Sequence, residues 1–323
     1  METNGGPRCL CDEFVPVTEA AALAAGHWTG RGDGKAAVAA ASEALNKALA
    51  EVPIEGTVVI GESELEATIL RPGDRVGVGG RRCDLALDPL ECRETLGWGQ
   101  AGAMSVLAVG APGAMMSVPD MYMQKMAVGA RAAGRIDIEG PMTDNLRAIA
   151  EAYGLEVSEL SVIILDRPRH EDLVADVRKT GTRIKLIADG DITASIAAAV
   201  RGTGFHAYIG IGGAREGIIS AAAMRCLGGE IQAKMWPLSR REIERARDHG
   251  IEDIEARLVT ADMVGGDVIF SATGVTTGEV LKGVSFFHEG ARTQTLLMCT
   301  RCRIVRFVDT IHLFSDDRRE ILL

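Results

Sequence analysis

Aromatic residues, prolines and long apolar runs are all scarce in this sequence. Aromatic side chains make up 4% of its 323 residues, and 10 residues are proline. No run of about 18 apolar residues occurs, so we expect no membrane-spanning helix and no membrane partner. The opening segment METNGGPRCLCDEF also lacks the apolar core of a signal peptide. These absences predict a cytoplasmic protein.

Basic residues are outnumbered by acidic ones. The chain has 35 Lys and Arg against 45 Asp and Glu, which gives a net charge of −10. Binding to nucleic acid without sequence preference relies on Lys and Arg that neutralise phosphates, so we expect no nucleic-acid partner. A hydrophobic fraction of 47% is enough to build a core, which excludes a disordered chain. The 38 glycines follow no fixed period, which excludes collagen.

Cysteines number seven, an odd count that suits free thiols in a reducing compartment. Cys299 and Cys302 have the spacing of a zinc or redox motif, but no second pair follows at the spacing of a zinc ribbon. Because they lie in an alternating run, they are interpreted as two ordinary strand residues. Cys9 and Cys11 are interpreted as part of a frayed terminus.

The first half of the chain, residues 1–157, is predicted to be an α+β subdomain. Two alanine-rich segments, at about 18–28 and 35–52, predict helices because alanine has the highest helix propensity. A helix over 144–155 is also expected, with Asp144 as its N-cap. The remaining predictions are a strand from about residue 56 to Gly61, a strand at about 81–91, and an apolar hairpin over 104–118.

The second half, residues 158–323, is predicted to be an α/β subdomain. Three strand-like segments alternate with three helix-like segments, at 161–166, 170–181, 183–189, 191–200, 207–213 and 215–229. Such alternation predicts a layer of mainly parallel strands covered by helices. A further helix is expected at 241–250, followed by strands that return in a meander. The predicted fold class is therefore a layered α/β sandwich.

Four clusters of acidic residues follow predicted strands or turns, each beside glycine or proline. Carboxylates gathered at strand ends repel one another unless a cation neutralises them. Mg²⁺ and Mn²⁺ prefer oxygen ligands and can orient phosphate groups. The clusters therefore predict a site for a divalent metal or a phosphate. They comprise Glu62, Glu64 and Glu66; Asp84, Asp88 and Glu91; Asp189 and Asp191; and Glu216.

An ordered series of short motifs resembles the class II fructose-1,6-bisphosphatases, most closely those that also act on sedoheptulose bisphosphate. The likeness extends from about Val15 to Phe314. The DPLE element alone is typical of the wider lithium-sensitive phosphatase superfamily, whereas the combination is far more specific. The motifs are GRGD at 30–33, VIGE at 59–62, DLALDPLE at 84–91, PDMYM at 119–123, DRPRH at 166–170, DGD at 189–191 and ATG at 272–274.

The resemblance implies an enzyme that removes the 1-phosphate of fructose-1,6- or sedoheptulose-1,7-bisphosphate, a phosphorylated sugar substrate, with Mg²⁺ or Mn²⁺ as cofactor. It also implies a homo-oligomer, either a dimer or a tetramer. Glu62, Asp88 and Glu91 match catalytic residues, and together with Glu216 they match metal ligands. The residues that match the sugar and phosphate site are Tyr122, Lys125, Arg167, Arg169, Asp189 and Asp191.

Several positions depart from the family pattern, and they fall in the motifs that the family uses to bind metal and phosphate. Val38 stands where the family has an aspartate that reaches the metals. Cys92 and Arg93 replace a Gly-Thr pair whose amides help to hold phosphate and whose hydroxyl helps to activate water. Arg215 replaces a proline. The changes remove metal-binding features and add two arginines beside acidic residues.

A guanidinium can neutralise carboxylates and hold phosphate without a metal. Arg93 is therefore predicted to pair with Glu91 or Glu62, to take over part of a metal's role and to join the phosphate-binding residues. The alternative is an Arg93 that points to solvent beside a looser site for one or two metals.

Two classes of function remain open. In the first, the chain is a sugar bisphosphatase whose turnover is slow or altered, because water positioning and preorganised charge supply most of phosphoryl-transfer catalysis. In the second, it is a diverged paralogue that isomerises, epimerises or eliminates a sugar phosphate without metal, with Glu62, Glu64 or Glu91 as base. A non-catalytic sugar-phosphate binder is a third version. Release of phosphate from the two bisphosphates discriminates between them.

Overall fold

The computed structural model describes residues 9–62 and 69–314, and Glu64 and Glu66 lie outside these ranges. A short 3-10 turn at Cys11–Phe14 precedes the first α-helix. The helices are α1 Val15–Gly26, α2 Gly34–Leu49, α3 Arg93–Gly97, α4 Met142–Tyr153, α5 Glu171–Lys179, α6 Asp191–Ala199, α7 Ala214–Leu227, α8 Arg240–Asp248 and α9 Thr260–Met263. The strands are β1 Ile54–Ile60, β2 Arg75–Val76, β3 Arg81–Glu91, β4 Met104–Gly110, β5 Tyr122–Val128, β6 Ser161–Leu165, β7 Arg183–Ile187, β8 Ala207–Gly213, β9 Glu230–Trp236, β10 Leu258–Val259, β11 Val268–Gly274, β12 Ser285–Phe287, β13 Gly290–Cys299 and β14 Ile304–Leu313.

The larger sheet is built from both ends of the chain. Across the described ranges it has eight strands. Seven of them follow the order β12-β13-β11-β4-β3-β1-β2, and the eighth, β14, lies outside this order and pairs with β13. β1 and β3 are parallel, and β3, β4, β11 and β13 pair antiparallel in turn. The predicted hairpin over 104–118 is wrong, because β4 is a central strand between β3 and β11. The segment just after Pro112, predicted as the second strand of the hairpin, forms an isolated bridge between Met115 and Val264.

The smaller sheet is mixed, with the order β10-β9-β5-β8-β6-β7 among the described strands. β6 is parallel to β7 and to β8, as the sequence predicts. The sequence pattern does not reveal β5 and β9. β5 pairs antiparallel with β8 on one side and with β9 on the other. The expectation of mainly parallel strands therefore holds for three neighbouring strands only.

Helices and sheets stack in five layers, which confirms the predicted α/β sandwich. α1 and α2 cover the outer face of the larger sheet, α6 and α7 fill the space between the sheets, and α4 and α5 cover the outer face of the smaller sheet. β3 shows how alternation produces this order. Leu85 and Leu87 pack toward α1 and α2, whereas Ala86 belongs to the core between the sheets.

The sheets divide the sequence at points other than residue 157. Strands of the larger sheet end at Gly110 and resume at Val268, and the smaller sheet takes the chain between them. A subdomain boundary at 157/158 stays a prediction.

Of the two aspartates at the starts of α2 and α4, the first is a cap, and the second, although predicted to be one, is not. Asp33 caps α2, because its side chain accepts a hydrogen bond from the Ala36 amide. Asp144, predicted as an N-cap, instead lies in the first turn of α4 and pairs with Arg147 at 2.9 Å, and Pro141 occupies the cap position. No helix within residues 9–62 and 69–314 is long and apolar enough to cross a membrane.

Candidate active site

A cavity of about 390 Å³ lies where the carboxyl ends of parallel strands from both sheets meet. Ligand sites of open α/β sheets lie outside these ends, where loops and helix N-termini converge. Among the described residues that the sequence analysis assigned to the site or its acidic clusters, all line this cavity except Lys125 and Asp84, whose carboxylate accepts a hydrogen bond from the Gly113 amide at 2.6 Å instead. Those that line the cavity are Glu62, Asp88, Glu91, Arg93, Tyr122, Arg167, Arg169, Asp189, Asp191 and Glu216.

Asp88 occupies an irregular end of β3. The pairing of β3 with β4 shifts register between Asp88 and Glu91, where Pro89 has no amide to give to the ladder. The Asp88 carboxylate accepts a hydrogen bond from the Leu90 amide at 3.0 Å. Burial raises the pKa of Asp88 well above its ordinary value, and the carboxylates of Glu62 and Glu216 raise it further. The charged form of Asp88 is therefore unfavourable here unless a positively charged group lies beside it.

Both oxygens of Glu91 accept hydrogen bonds from the first turn of α6. The Ile192 amide donates to one oxygen at 2.6 Å, and the Thr193 amide and hydroxyl donate to the other at 3.1 and 2.7 Å. A carboxylate at a helix N-terminus also meets the positive end of the helix dipole. Burial and the nearby Asp88 nevertheless raise the pKa of Glu91 well above its ordinary value. Glu91 thus fixes α6 against β3 from the cavity wall.

Glu216 is placed by the glycines before α7. A Cβ on Gly213 would lie 1.8 Å from the Glu216 Oε2 atom, so only glycine lets the carboxylate fold back over the end of β8. Hard divalent cations take several oxygen ligands from carboxylates. Glu62, Asp88 and Glu216 supply carboxylate oxygens to the cavity wall, and their negative charges repel one another. This donor set fits such a cation.

Arg215 is the arginine that lies within the acidic cluster. Its Nη1 donates to the Gly61 carbonyl at 2.8 Å, and its Nη2 lies 3.5 Å from the Asp120 carboxylate. Burial lowers the pKa of Arg215, but the surrounding carboxylates, Glu216 foremost, raise it above its ordinary value. Arg215 therefore stays positively charged and offsets part of the negative charge at the site.

Arg93 and Cys92 form the cavity wall at the start of α3. Arg93 Nε lies 3.9 Å from Glu94 Oε1, and pairing of Arg93 with Glu91 or Glu62 stays a prediction. Cys92 has a φ of +68°, in the left-handed region where glycine is free of strain. Its buried sulfur fills space beside Gly190, where an added Cβ would lie 2.9 Å from it. Val38 also faces the cavity.

Lys125 and Asp191 form an ion pair behind the cavity wall. Lys125 is fully buried, and its Nζ donates to the Asp191 carboxylate and, at 2.8 Å, to the Gly213 carbonyl. A Cβ on Gly212 would lie 1.7 Å from Asp191 Oδ2, so this glycine makes room for the pair. The pairing leaves Asp191 at the wall and removes Lys125 from direct contact with the cavity.

The loop after β6 presents two arginines to the cavity. The Arg169 guanidinium lies over the Tyr122 ring, 4.6 Å from its centroid, and donates from Nε and Nη2 to the Ile211 carbonyl at 3.0 and 2.7 Å. Arg167 shares the same wall, as does Asp189, whose pKa is raised by burial and by Asp191. Arginines here can bind an anion, and Asp189 can accept hydrogen bonds from hydroxyls.

His170 supports this wall, a role that the sequence analysis did not assign. Its Nδ1 lies 2.8 Å from the Leu165 carbonyl, and the Ile211 amide donates to its Nε2 at 2.7 Å. Burial lowers the pKa of His170, which favours the neutral ring that this pattern requires. His170 therefore holds the backbone amide of Ile211, and Arg169 holds its carbonyl. Its place in the DRPRH motif was the available signal.

The five-layer sandwich and a cavity lined by both carboxylates and arginines are features of a phosphatase of the α/β sandwich class. The sequence model of the family described as "Bacterial fructose-1,6-bisphosphatase, glpX-encoded" matches residues 8–312. The chain therefore belongs to this family of phosphoric monoester hydrolases. Family membership supports a divalent metal as cofactor.

Curated relatives match over almost their whole length. A protein of Synechococcus sp. (strain JA-3-3Ab) named D-fructose 1,6-bisphosphatase class 2/sedoheptulose 1,7-bisphosphatase is 41% identical, with 93% of this chain and 94% of the relative covered. A protein of the same name from Trichodesmium erythraeum (strain IMS101) is 38% identical, over 95% and 96% of the two chains. The resemblance read from the motifs is confirmed.

Proposed function

We propose that the chain hydrolyses the 1-phosphate of fructose-1,6-bisphosphate or sedoheptulose-1,7-bisphosphate and releases inorganic phosphate. One observation carries the substrate class: a single cavity is lined both by carboxylates that suit a metal-bound phosphate and by arginines that suit a second phosphate. The carboxylates are Glu62, Asp88 and Glu216, and the arginines are Arg167 and Arg169 in the loop after β6. Two relatives at 41% identity carry both substrates in their names.

The cation is proposed to be Mg²⁺ or Mn²⁺, held by Glu62, Asp88 and Glu216, with Glu91 as a further candidate ligand. When bound, such an ion polarises the phosphoryl group and lowers the pKa of water. The carboxylates would hold the ion and accept the proton of the attacking water. Arg215 already supplies one positive charge to the cluster, which supports a site with fewer cations than the family motif alone implies.

The distal phosphate is proposed to lie against Arg167 and Arg169, with the Tyr122 ring as a rigid backing. Arg169 keeps Nη1 for an anion, since its Nε and Nη2 are engaged by the Ile211 carbonyl. Asp189 is proposed to accept hydrogen bonds from sugar hydroxyls. Lys125 and Asp191 would act from behind, by holding the end of β8 in place.

Turnover is proposed to be slow, because three replaced residues line the cavity. Val38 offers no ligand atom, Cys92 adds a side chain where phosphate would approach the backbone, and Arg93 has no hydroxyl for positioning water. Restoring the family residues in the triple variant Val38→Asp/Cys92→Gly/Arg93→Thr should raise kcat. No gain from the triple variant would place the loss elsewhere.

The test is phosphate release from each bisphosphate in the presence of Mn²⁺. We expect release by the native chain and a loss of at least about 100-fold in Glu62→Gln, because fixed charge at the transition state supplies much of such catalysis. Glu55→Gln, on the exposed side of β1, is the matched control and should keep full activity. Binding of both sugars without release would contradict the proposal and favour the diverged paralogue or the non-catalytic binder.

A further inference from the structure

Four cysteines from opposite ends of the sequence meet at one end of the larger sheet. Cys11 begins the 3-10 turn before α1, and Cys9 lies two residues ahead of it. Cys299 ends β13, and Cys302 lies on the tight connection between β13 and β14. Their four sulfur atoms all lie within 4.8 Å of one another. In the sequence, no second cysteine pair follows Cys299 and Cys302 at the spacing of a zinc ribbon. The fold supplies a second pair by placing Cys9 and Cys11 beside them. The interpretation of Cys9 and Cys11 as a frayed terminus is wrong, because Cys11 is buried in the structure.

The distances suit a metal ion bound by thiolates. Zn–S bonds are about 2.3 Å long, so sulfurs at the corners of a tetrahedron lie about 3.8 Å apart. The Sγ atoms of Cys9 and Cys299 are 3.6 Å apart. The Cys302 amide also points at Cys299 Sγ, at 3.4 Å, where an N–H group stabilises negative charge on sulfur. Arg303 takes a left-handed φ of +55° that turns the hairpin back beside the cluster.

The surroundings hold the cluster in place and balance its charge. Cys11 and Cys299 pack with Val15 and Leu297 in a small apolar core. Asp12 pairs with Arg306 at 2.8 Å, which fastens the turn to β14.

Two arginines, Arg81 and Arg301, line a crevice together with Cys9 and Cys299. Four thiolates around a divalent ion would carry a net charge of −2, and positive side chains in the adjacent crevice have the sign that suits it.

The cluster is separate from the active site. Arg81 and Cys83 mark the near end of β3, beside Cys9 and Cys299, whereas Asp88 and Glu91 mark the opposite end of the same strand. The eight residue-to-residue steps from Cys83 to Glu91 span about 26 Å in extended conformation. An ion at the cysteines is therefore too far away to touch a substrate in the cavity.

We propose that Cys9, Cys11, Cys299 and Cys302 bind one Zn²⁺ ion in a closed, structural site. Thiolates are soft ligands that select zinc over the Mg²⁺ or Mn²⁺ of the acidic cluster. Binding forms four Zn–S bonds and releases the four S–H protons to solvent, with no change in oxidation state. The ion joins the segment before α1 to the β13–β14 hairpin and so stabilises the outer edge of the larger sheet.

Metal analysis of the full chain tests the proposal. After purification under reducing conditions and dialysis in Mg²⁺ buffer, plasma mass spectrometry should find one zinc per chain. Cys302→Ser and the pair Cys9→Ser/Cys11→Ser should lose it. Cys83→Ser and Cys226→Ser, which change cysteines outside the cluster, are matched controls and should keep it.

Two measurements on the native chain keep the result independent of how the variants fold. Replacement of the ion by Co²⁺ should give the visible absorption of a tetrahedral cobalt–thiolate centre. Alkylation after denaturation with chelator should label all seven cysteines. Disulfides among the four cysteines, iron in place of zinc, or a chain without bound metal would each overturn the proposal.

Discussion

Asp88 lies where burial and two neighbouring carboxylates all oppose its charge. Its folded-state pKa lies above that of the unfolded chain, so the unfolded state releases its proton first as the pH rises. Without a cation, this carboxyl therefore costs stability progressively from about pH 4 upward, the range in which a free aspartate ionises. A bound divalent ion reverses the cost, because it stabilises the charged form.

Asp88→Asn should therefore stabilise the metal-free protein at pH 7 and have little effect at pH 4. For a chain of 323 residues, a gain of about 1 kcal/mol corresponds to a rise in Tm of about 1.5 °C. Addition of Mn²⁺ should raise the Tm of the native chain and leave that of the variant almost unchanged. Thermal unfolding in EDTA and in Mn²⁺ measures both effects, with Glu43→Gln on the exposed face of α2 as control. A variant that Mn²⁺ still stabilises fully would exclude Asp88 as a ligand.

At the residue scale, the sequence located the site chemistry well but not the contacts. The motifs named most of the residues that line the cavity. Asp88 and Glu91 lie at the end of β3, and Glu62, Arg167 and Asp189 lie just after β1, β6 and β7. The motifs did not separate Arg215 from Arg93, since both arginines stand next to acidic residues in the sequence. Only the fold places Arg215 among carboxylates of three different elements.

At the scale of elements, β3 is predicted to the residue, and its neighbours less well. β3 is predictable because its residues alternate between two layers. Leu85 and Leu87 face one layer, and Ala86 faces the other. β5 and β9 give a weaker signal. Their sequences, YMQKMAV and EIQAKMW, place buried Lys125 and Gln232 where a strand facing a core is expected to be apolar. Both groups are satisfied by partners distant in sequence.

The connection between β3 and α6 offers a test at this scale. In Glu91→Ala, the amides of Ile192 and Thr193 lose their acceptor, and hydrogen bonds to charged groups are each worth about 1.5–3 kcal/mol. The raised pKa of Glu91 reduces this benefit, so we expect a loss of about 2 kcal/mol.

Hydrogen exchange in metal-free buffer should show faster exchange at the start of α6 and unchanged exchange in α5. Thr193→Val, which removes only the hydroxyl donor, should show a smaller effect in the same place. Unchanged α6 exchange together with lost binding of Mn²⁺ would instead assign Glu91 to the metal alone.

At the scale of the whole molecule, one edge of the larger sheet presents apolar side chains. Val305 and Phe307 on β14 are 52% and 49% exposed. Within the described residues, β14 pairs only with β13. An exposed, ten-residue edge strand is a template for pairing with another chain. These features favour β14 as the contact in the homo-oligomer that the family resemblance implies.

Light scattering after size-exclusion chromatography should accordingly give the mass of a dimer or tetramer. Phe307→Glu should shift the mass toward the monomer, because a charge would be buried at the contact. Val78→Glu, beyond β2 at the opposite edge of the sheet, should leave the mass unchanged. A native chain that runs as a monomer would contradict the expected assembly.

The sequence by itself determined the family, the α/β class and most of the side chains at the cavity, because strand periodicity and short motifs are local properties. The tertiary structure decided which distant residues meet. It placed β11 to β14 in the same sheet as β1 to β4, put Lys125 behind the wall with Asp191, and closed two unremarkable cysteine pairs into one cluster. The physical reason is that sheet pairing and burial join segments nearly the whole chain apart, and no local pattern encodes the partner of a strand or of a charge.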